Sequence, residues 1–378
     1  GSIGTLASAI TAELSKGSSV ISPVLTGRAK GLINIDLVKN TVPELVEVSA
    51  LISDLGDVKI EFGGNNMNIT GMINAFGNNV QITGAGAIQD NHYAANDITA
   101  NTLLIIGSGN IGDTNNPLEI DVQILEVSTA AGLFANNKGQ LAVGGISDTV
   151  GLNADGAIAI NAGGLIAIDE QVTAGGSLDM IALGAISIAQ DLLVSGAGNV
   201  VLSARDTSGS LFDSIILADN ITLKSIGADL ALLSGDDFIV NNTHRLIAGG
   251  SAIIKPNGKL TIGIDQGNAD DGVGASFGIL QVDDTLTVPR SNDGIIHAGA
   301  LYIVGENDDD TLIIQDLFLP TTFEAMEGFD TVNVTLISAP SDQTSLLNIN
   351  VEKISFLHAP TAARDFSWVL DTDPTTRN

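Results

Sequence analysis

The chain has 378 residues, and 15 Lys plus Arg against 44 Asp plus Glu leave a formal charge of −29. Such a surface repels phosphate backbones and anionic headgroups, which argues against nucleic acid and acidic membranes as partners and leaves divalent cations as natural counter-ligands. Hydrophobic residues make up 44% and aromatics only 4%, with 43 glycines and no cysteine, so the core is expected to be aliphatic, the chain is too apolar for disorder, and disulfides and thiolate metal sites are excluded.

In chain order, Ala7 to Lys16 fits either a short helix with Ile10 and Leu14 on one face or an extended lead-in, and Gly31 to Ile35 is the first clear strand. Thr41 to Leu55 carries Leu45, Val48, Ile52 and Leu55 at helical spacing. A strand is nevertheless expected there, because Val58, Ile60 and Phe62, then Met67 and Ile69, then Met72 and Ile73, then Val80 and Ile82 continue a grammar of short runs parted by Gly-Asn turns. Asparagines at such turns, as in Gly63-Gly64-Asn65-Asn66 and Asn115-Asn116, tolerate the left-handed conformation and can bond their own copies one coil away. A coarser duplication relates Ile3-Gly4-Thr5 to Ile111-Gly112-Asp113.

The clearest repeat runs from Gly156 to Ala204. Ile158 and Ile160, Ile166 and Ile168, Leu178, Met180 and Ala182, Ile186 and Ile188, Leu192 and Val194, and Val200 and Leu202 each point to one side of an extended chain. No run is long enough for a helix. Equivalent runs recur after roughly twenty residues, the period of a chain winding once around a parallel β-helix. The fold expected is therefore all-β, a right-handed parallel β-helix with coils of roughly 20–22 residues, loop insertions, and glycines at left-handed corners.

After Ala204 the period is interrupted at Arg205 to Asp213 and again at Gln266 to Ser276, two polar loops that are the leading contact candidates. From about residue 304 the texture shifts to acidic turns followed by alternating strands, and Ser338 to Asn378 is less periodic and holds Trp368. The chain thus divides into a solenoid over 1–303 and C-terminal coils or a cap over 304–378. No apolar stretch reaches spanning length and the N-terminus lacks the marks of a signal peptide, so a segment of a longer chain is expected, without membrane insertion.

The runs Leu103 to Gly145 and Gly176 to Ala204 resemble the repeat regions of filamentous haemagglutinin-like exoproteins and related giant bacterial adhesins, a likeness of repeat grammar extending over about residues 1–288. The resemblance implies secretion to the surface of, or away from, a Gram-negative bacterium, and a rod presenting adhesive regions to host cells, matrix polysaccharide or sister bacteria, as in a biofilm. Gly305 to Ile313 and Gly328 to Val332 are similar to degraded calcium-binding nonapeptide repeats. That likeness implies calcium at Asp308, Asp310 and Asp330, although Asp308 stands where a glycine turn belongs; the alternative is a solvated acidic turn. No cofactor is required beyond such calcium.

Parallel β-helices also include polysaccharide lyases and hydrolases, whose chemistry needs carboxylates converging in a groove. Asp236 with Asp237, Asp270 with Asp271, and Asp308 to Asp310 are the acidic candidates, each also readable as a loop tip. Aromatic platforms for sugars are few: Trp368, Tyr93 and Tyr302. His92, His244, His297 and His358 are dispersed, none at ligand spacing from another histidine or glutamate, and read as surface or loop residues. Gly84-Ala85-Gly86 and Gly107-Ser108-Gly109 lack the helix and Lys-Ser/Thr of a phosphate loop and read as coil corners. The reading is a non-enzymatic structural or adhesive segment of a large bacterial surface or secreted adhesin, with a glycan, cell-surface or matrix component and neighbouring domains as partners. The alternatives are a polysaccharide-acting β-helix enzyme and a stalk that binds nothing.

Overall fold

The structure is a computed structural model that describes residues 22–38, 45–92, 95–147, 151–205 and 213–234 continuously, together with strand Ile10–Glu13, strand Arg245–Ala248 and the strands between Lys259 and Leu370. Every regular element among the described residues is a β-strand, the strands pair in parallel, and the fold is the expected β-solenoid. The chain divides into two compact units, Gly1–Met180 and Ile181–Asn378.

In the first unit the chain deposits strands on two sheets, largely by turns, and from Leu141–Val143 onward, with Ile166–Ile168 next, a third short strand per coil joins the first sheet off its main path. One holds Ile33–Val38, Val58–Glu61, Asn79–Ala85, Thr102–Gly107, Ile124–Thr129, Leu152–Ala154 and Val172–Ala174 in succession. The other holds Val24–Ala29, Leu45–Ser53, Asn66–Asn74, Ile98–Thr99, Leu118–Asp121, Leu133–Asn137 and Ile158–Ala162. The period-two pattern puts one apolar column of each strand inside, and stacking converts it into ladders. Ile35, Ile60, Ile82, Ile105, Val127, Leu152 and Val172 form one ladder, all buried. One coil cannot bury its own face, so each layer depends on its neighbours.

The second unit repeats the arrangement. Val200–Ala204, Leu230–Ser234, Lys259–Gly263, Ala300–Val304, Thr321–Glu324, Thr344–Asn350 and Phe366–Leu370 form one parallel sheet, and Leu280–Gln281, Thr311–Gln315, Thr331–Leu336 and Lys353–His358 another. The less periodic tail therefore still winds: Trp368 pairs with Leu346.

The inward residues expected between Gly156 and Ala204 are all buried, from Ile158 to Leu202. Leu45–Ser53 is a strand, as expected, with Val46, Val48 and Leu51 inward and Leu45 and Leu55 exposed. The register shifts between Val48 and Ala50, which moves the inward column by one residue, and of the four residues at helical spacing only Val48 is buried. Within Ala7 to Lys16, Ile10–Glu13 is a strand rather than a helical turn. Coil-to-coil spacing is 22 residues where Asn79 bonds Asp57 and 25 where Asn161 bonds Asn136. It lengthens to 31 where Thr222 bonds Asp191, on the coil that carries the insertion after Ala204. Arg205 N–H bonds the Ala182 carbonyl at 2.9 Å, so the chain leaves the ladder only beyond it.

The glycines of the central repeat serve a different purpose from the one expected. A side chain at Gly163 would put its Cβ 2.1 Å from the Lys138 carbonyl oxygen, and at Gly175 the same distance from that of Asp155. Neither has positive φ. Corners of successive coils lie backbone on backbone, and only glycine permits the approach.

Candidate metal centre

One coil of the first unit departs from the plain winding. Ile88–Asp90 and Ile98–Thr99 both pair with Asn66–Asn74, the former against Met67 to Ile69 and the latter against Ile73 and Asn74. The segment between them has only Thr70 to Met72 opposite it, and its described residues belong to no strand. Asn91 N–H still reaches the Ile69 carbonyl at 2.7 Å, and Ile73 N–H takes the Asp97 carbonyl at 2.7 Å, which fixes both ends of the excursion.

Two acids at its ends are shut off from water. Asp97 is 0% exposed and Asp90 4%. Glu119 lies one coil on, in Leu118–Asp121, at the ladder step that follows Asp97: Asp97 N–H bonds the Glu119 carbonyl at 2.7 Å, and Glu119 N–H bonds Asp97 Oδ2 at 2.9 Å. Asp90 Oδ1 accepts from His92 N–H at 2.6 Å, and the Asp90 carbonyl accepts from the Asn116 side-chain amide at 2.6 Å. Each aspartate is thus anchored to backbone through one carboxylate oxygen.

The other oxygens converge. Ligand atoms of Asp90, Asp97 and Glu119 lie within 4.8 Å of one another. Asp90 Oδ2, Asp97 Oδ1 and Glu119 Oε2 are buried and accept no hydrogen bond. His92 lies beside Asp97 but outside the converging group: its Nδ1 is buried, unpartnered and 3.7 Å from Asp97 Oδ1, too far for a hydrogen bond. Lys138 sits on Asp121 at 3.3 Å and Arg28 on Asp54 at 2.9 Å, so neither neutralises the cluster. Burial pushes the Asp97 carboxyl up to about 8, with the adjoining Asp90 carboxyl adding to the rise and the Glu119 backbone N–H opposing it. Burial, then the charge of Asp90, also raises Glu119.

Glu126 shows what a satisfied buried acid looks like in the same fold. It is 1% exposed, but its two oxygens accept from Ile146 N–H, Ser147 N–H and the Ser147 hydroxyl. The Asp90–Asp97–Glu119 cluster has acceptors facing acceptors, and only a proton or a cation placed among them relieves that arrangement. Asp97 lies too deep to touch a polymer.

The sequence reading missed this centre; His92 is a loop residue, as expected, and the structure adds that its ring lies beside Asp97. The signal was present in Asp90-Asn91-His92 with Asp97 following, where the alternating grammar breaks between Ile88 and Ile98. Asp308, Asp310 and Asp330 lie outside the described residues, as do Asp236 with Asp237 and Asp270 with Asp271. Of the two expected contact loops, 206–212 and 266–276 also lie outside them. The expected asparagine ladder exists, but at other positions than the turns that suggested it. Asn161 donates to Asn136 Oδ1 at 2.8 Å, whereas Asn65 bonds the Phe62 carbonyl and Asn66 accepts from Ala87 N–H. Compared with protein-family models, with curated proteins and with solved structures, the chain matches none.

Proposed function

We propose that the chain is a structural and adhesive segment of a large bacterial surface or secreted protein, in which stacked coils hold outward side chains in register for attachment to a glycan, a cell surface or matrix. The observation that supports this reading most is the continuity of the buried ladders. Ile35 to Val172 occupy one inward column through successive coils, and such a stack offers a repeating outer surface at ~4.8 Å per coil. The charge of −29 keeps that surface soluble and suits ligands that are neutral or bridged by divalent cations.

The test is binding and turnover in one experiment: labelled protein against bacterial and host glycans and cells, with and without calcium, while soluble sugar release is assayed. Saturable binding without release supports the adhesive reading. Release of sugar products would replace it with the polysaccharide-acting enzyme, and absence of binding would leave a stalk.

A further inference from the structure

We propose that Asp90, Asp97 and Glu119 bind one divalent cation that accepts carboxylate and imidazole together, that the His92 ring turns in to supply Nδ1 as a fourth ligand when the ion binds, and that this ion pins the chain between Asp90 and Asp97 to the following coil. The inference is independent of the adhesive reading and concerns a different part of the chain from the acidic turns near residue 308.

Three features carry it. The carboxylates are not a surface patch: Asp97 is 0% exposed, Asp90 4%, and the free oxygen of each turns inward while its partner oxygen is held by a backbone N–H. His92 Nδ1 is a buried nitrogen with no hydrogen-bond partner beside a buried oxygen with none, 3.7 Å apart. That separation is too long for a hydrogen bond and suits two ligands of one ion with bonds of ~2.1 Å. Finally, the ligands come from both sides of the excursion and from the next coil, so an ion there would add a side-chain cross-link to the backbone bonds that already join Asp97 to Glu119.

The donor set selects the ion. Three carboxylates favour hard cations, and calcium and magnesium seldom accept imidazole; zinc and copper prefer nitrogen and sulfur over three carboxylates. Manganese(II) takes both donor types. The full chain, dialysed against chelator, is therefore titrated with Mn²⁺, Ca²⁺, Mg²⁺ and Zn²⁺ by calorimetry. Free Mn²⁺ is counted by electron paramagnetic resonance, and the fold of each variant is checked by circular dichroism.

The expected result is one Mn²⁺ per chain, bound more tightly than Ca²⁺ or Mg²⁺, with hydrogen exchange slowed at Asn91, Asp97 and Glu119. Asp97→Asn should abolish binding with the fold intact, because it keeps the acceptor for Glu119 N–H but removes the charge. His92→Ala should weaken Mn²⁺ about tenfold or more and change Ca²⁺ little. Absence of saturable binding by any of the four ions would overturn the proposal in favour of a shared proton, as would Mn²⁺ binding unchanged in Asp97→Asn. Tighter Ca²⁺ than Mn²⁺ with no effect of His92→Ala would overturn the assignment of the ion and of its fourth ligand.

Discussion

Truncating Ile82 tests whether the aliphatic ladders hold the coils together. Ile82 is 0% exposed, and its ladder neighbours Ile60 and Ile105 are each 1% exposed. Replacing it with alanine removes three carbons from a column whose members are fixed by the backbone pairing of their own strands. The layers above and below cannot close on the gap, which places Ile82→Ala in the upper half of the ~2–5 kcal/mol seen for such truncations. Ile82→Val, keeping most of the volume, should cost ~0.5–1.5 kcal/mol. Gln81→Ala, on the outward column of the same strand, should change stability by less than ~0.5 kcal/mol. Because stacked coils need not unfold all at once, urea unfolding is read alongside hydrogen exchange in Val58–Glu61, Asn79–Ala85 and Thr102–Gly107, where the loss should concentrate. If Ile82→Ala and Gln81→Ala destabilise these strands equally, stability does not reside in the inward column and the reasoning fails.

Gly175→Ala should destabilise by ~1–3 kcal/mol, because its Cβ meets the Asp155 carbonyl at 2.1 Å, whereas Gly139→Ala, with nothing within 4 Å, should be close to neutral; chemical denaturation of the pair separates close approach from simple loss of glycine. Asn137→Ala should cost on the order of 2 kcal/mol or more, since that 4% exposed side chain bonds Val122 N–H and the Gly139 and Gln140 carbonyls, and Asn137→Asp should not restore it. In metal-free protein, Asp97 is raised from 3.8 to about 8, so its contribution to stability is fully present below pH 3.8 and is lost as pH rises to about 8. Asp97→Asn, uncharged throughout, should match the parent at the acid end and exceed it above pH 8, read by urea midpoints at each pH; a parent that gains stability across this range contradicts the sign.

Most of the architecture was legible because it depends on alternation, which a sequence displays directly. Ile158, Ile160, Leu178, Met180, Val200 and Leu202 point inward for no reason beyond their spacing. Leu45 to Leu55 was harder, since Leu45, Val48, Ile52 and Leu55 imitate a helical face although only Val48 is buried, and only the flanking short runs disclosed the strand. Gly63, Gly64, Gly84 and Gly112 hold the left-handed conformation expected of corner glycines, but Gly163 and Gly175 are at corners for another cause. Left-handed φ is a local property, while contact between Gly175 and Asp155 joins residues of different coils and has no local mark. The acid cluster was illegible for the same reason: Asp90 and Asp97 are close in sequence to His92, but Glu119 enters only once the coil length and register are known.

A solenoid stacks equivalent positions about 4.8 Å apart, so whatever stands on its outer column meets its own kind on the next coil. For amides this is favourable, because each offers a donor and an acceptor; Asn136 and Asn161 use it. For carboxylates it is repulsive, and ordinarily water screens the charge. The column that runs from Asp97 through Glu119 to Asn136 and Asn161 passes from acids to amides, and Asp97 is the member fully shut off from water. Its burial removes the screening at the step where like charges meet, while Asn136, one coil on, supplies a side-chain hydrogen bond to Glu119. Burial and the acids are therefore parts of one arrangement: exposed, the charges would be an ordinary acidic face, and buried without a proton or a cation they would oppose the fold that encloses them.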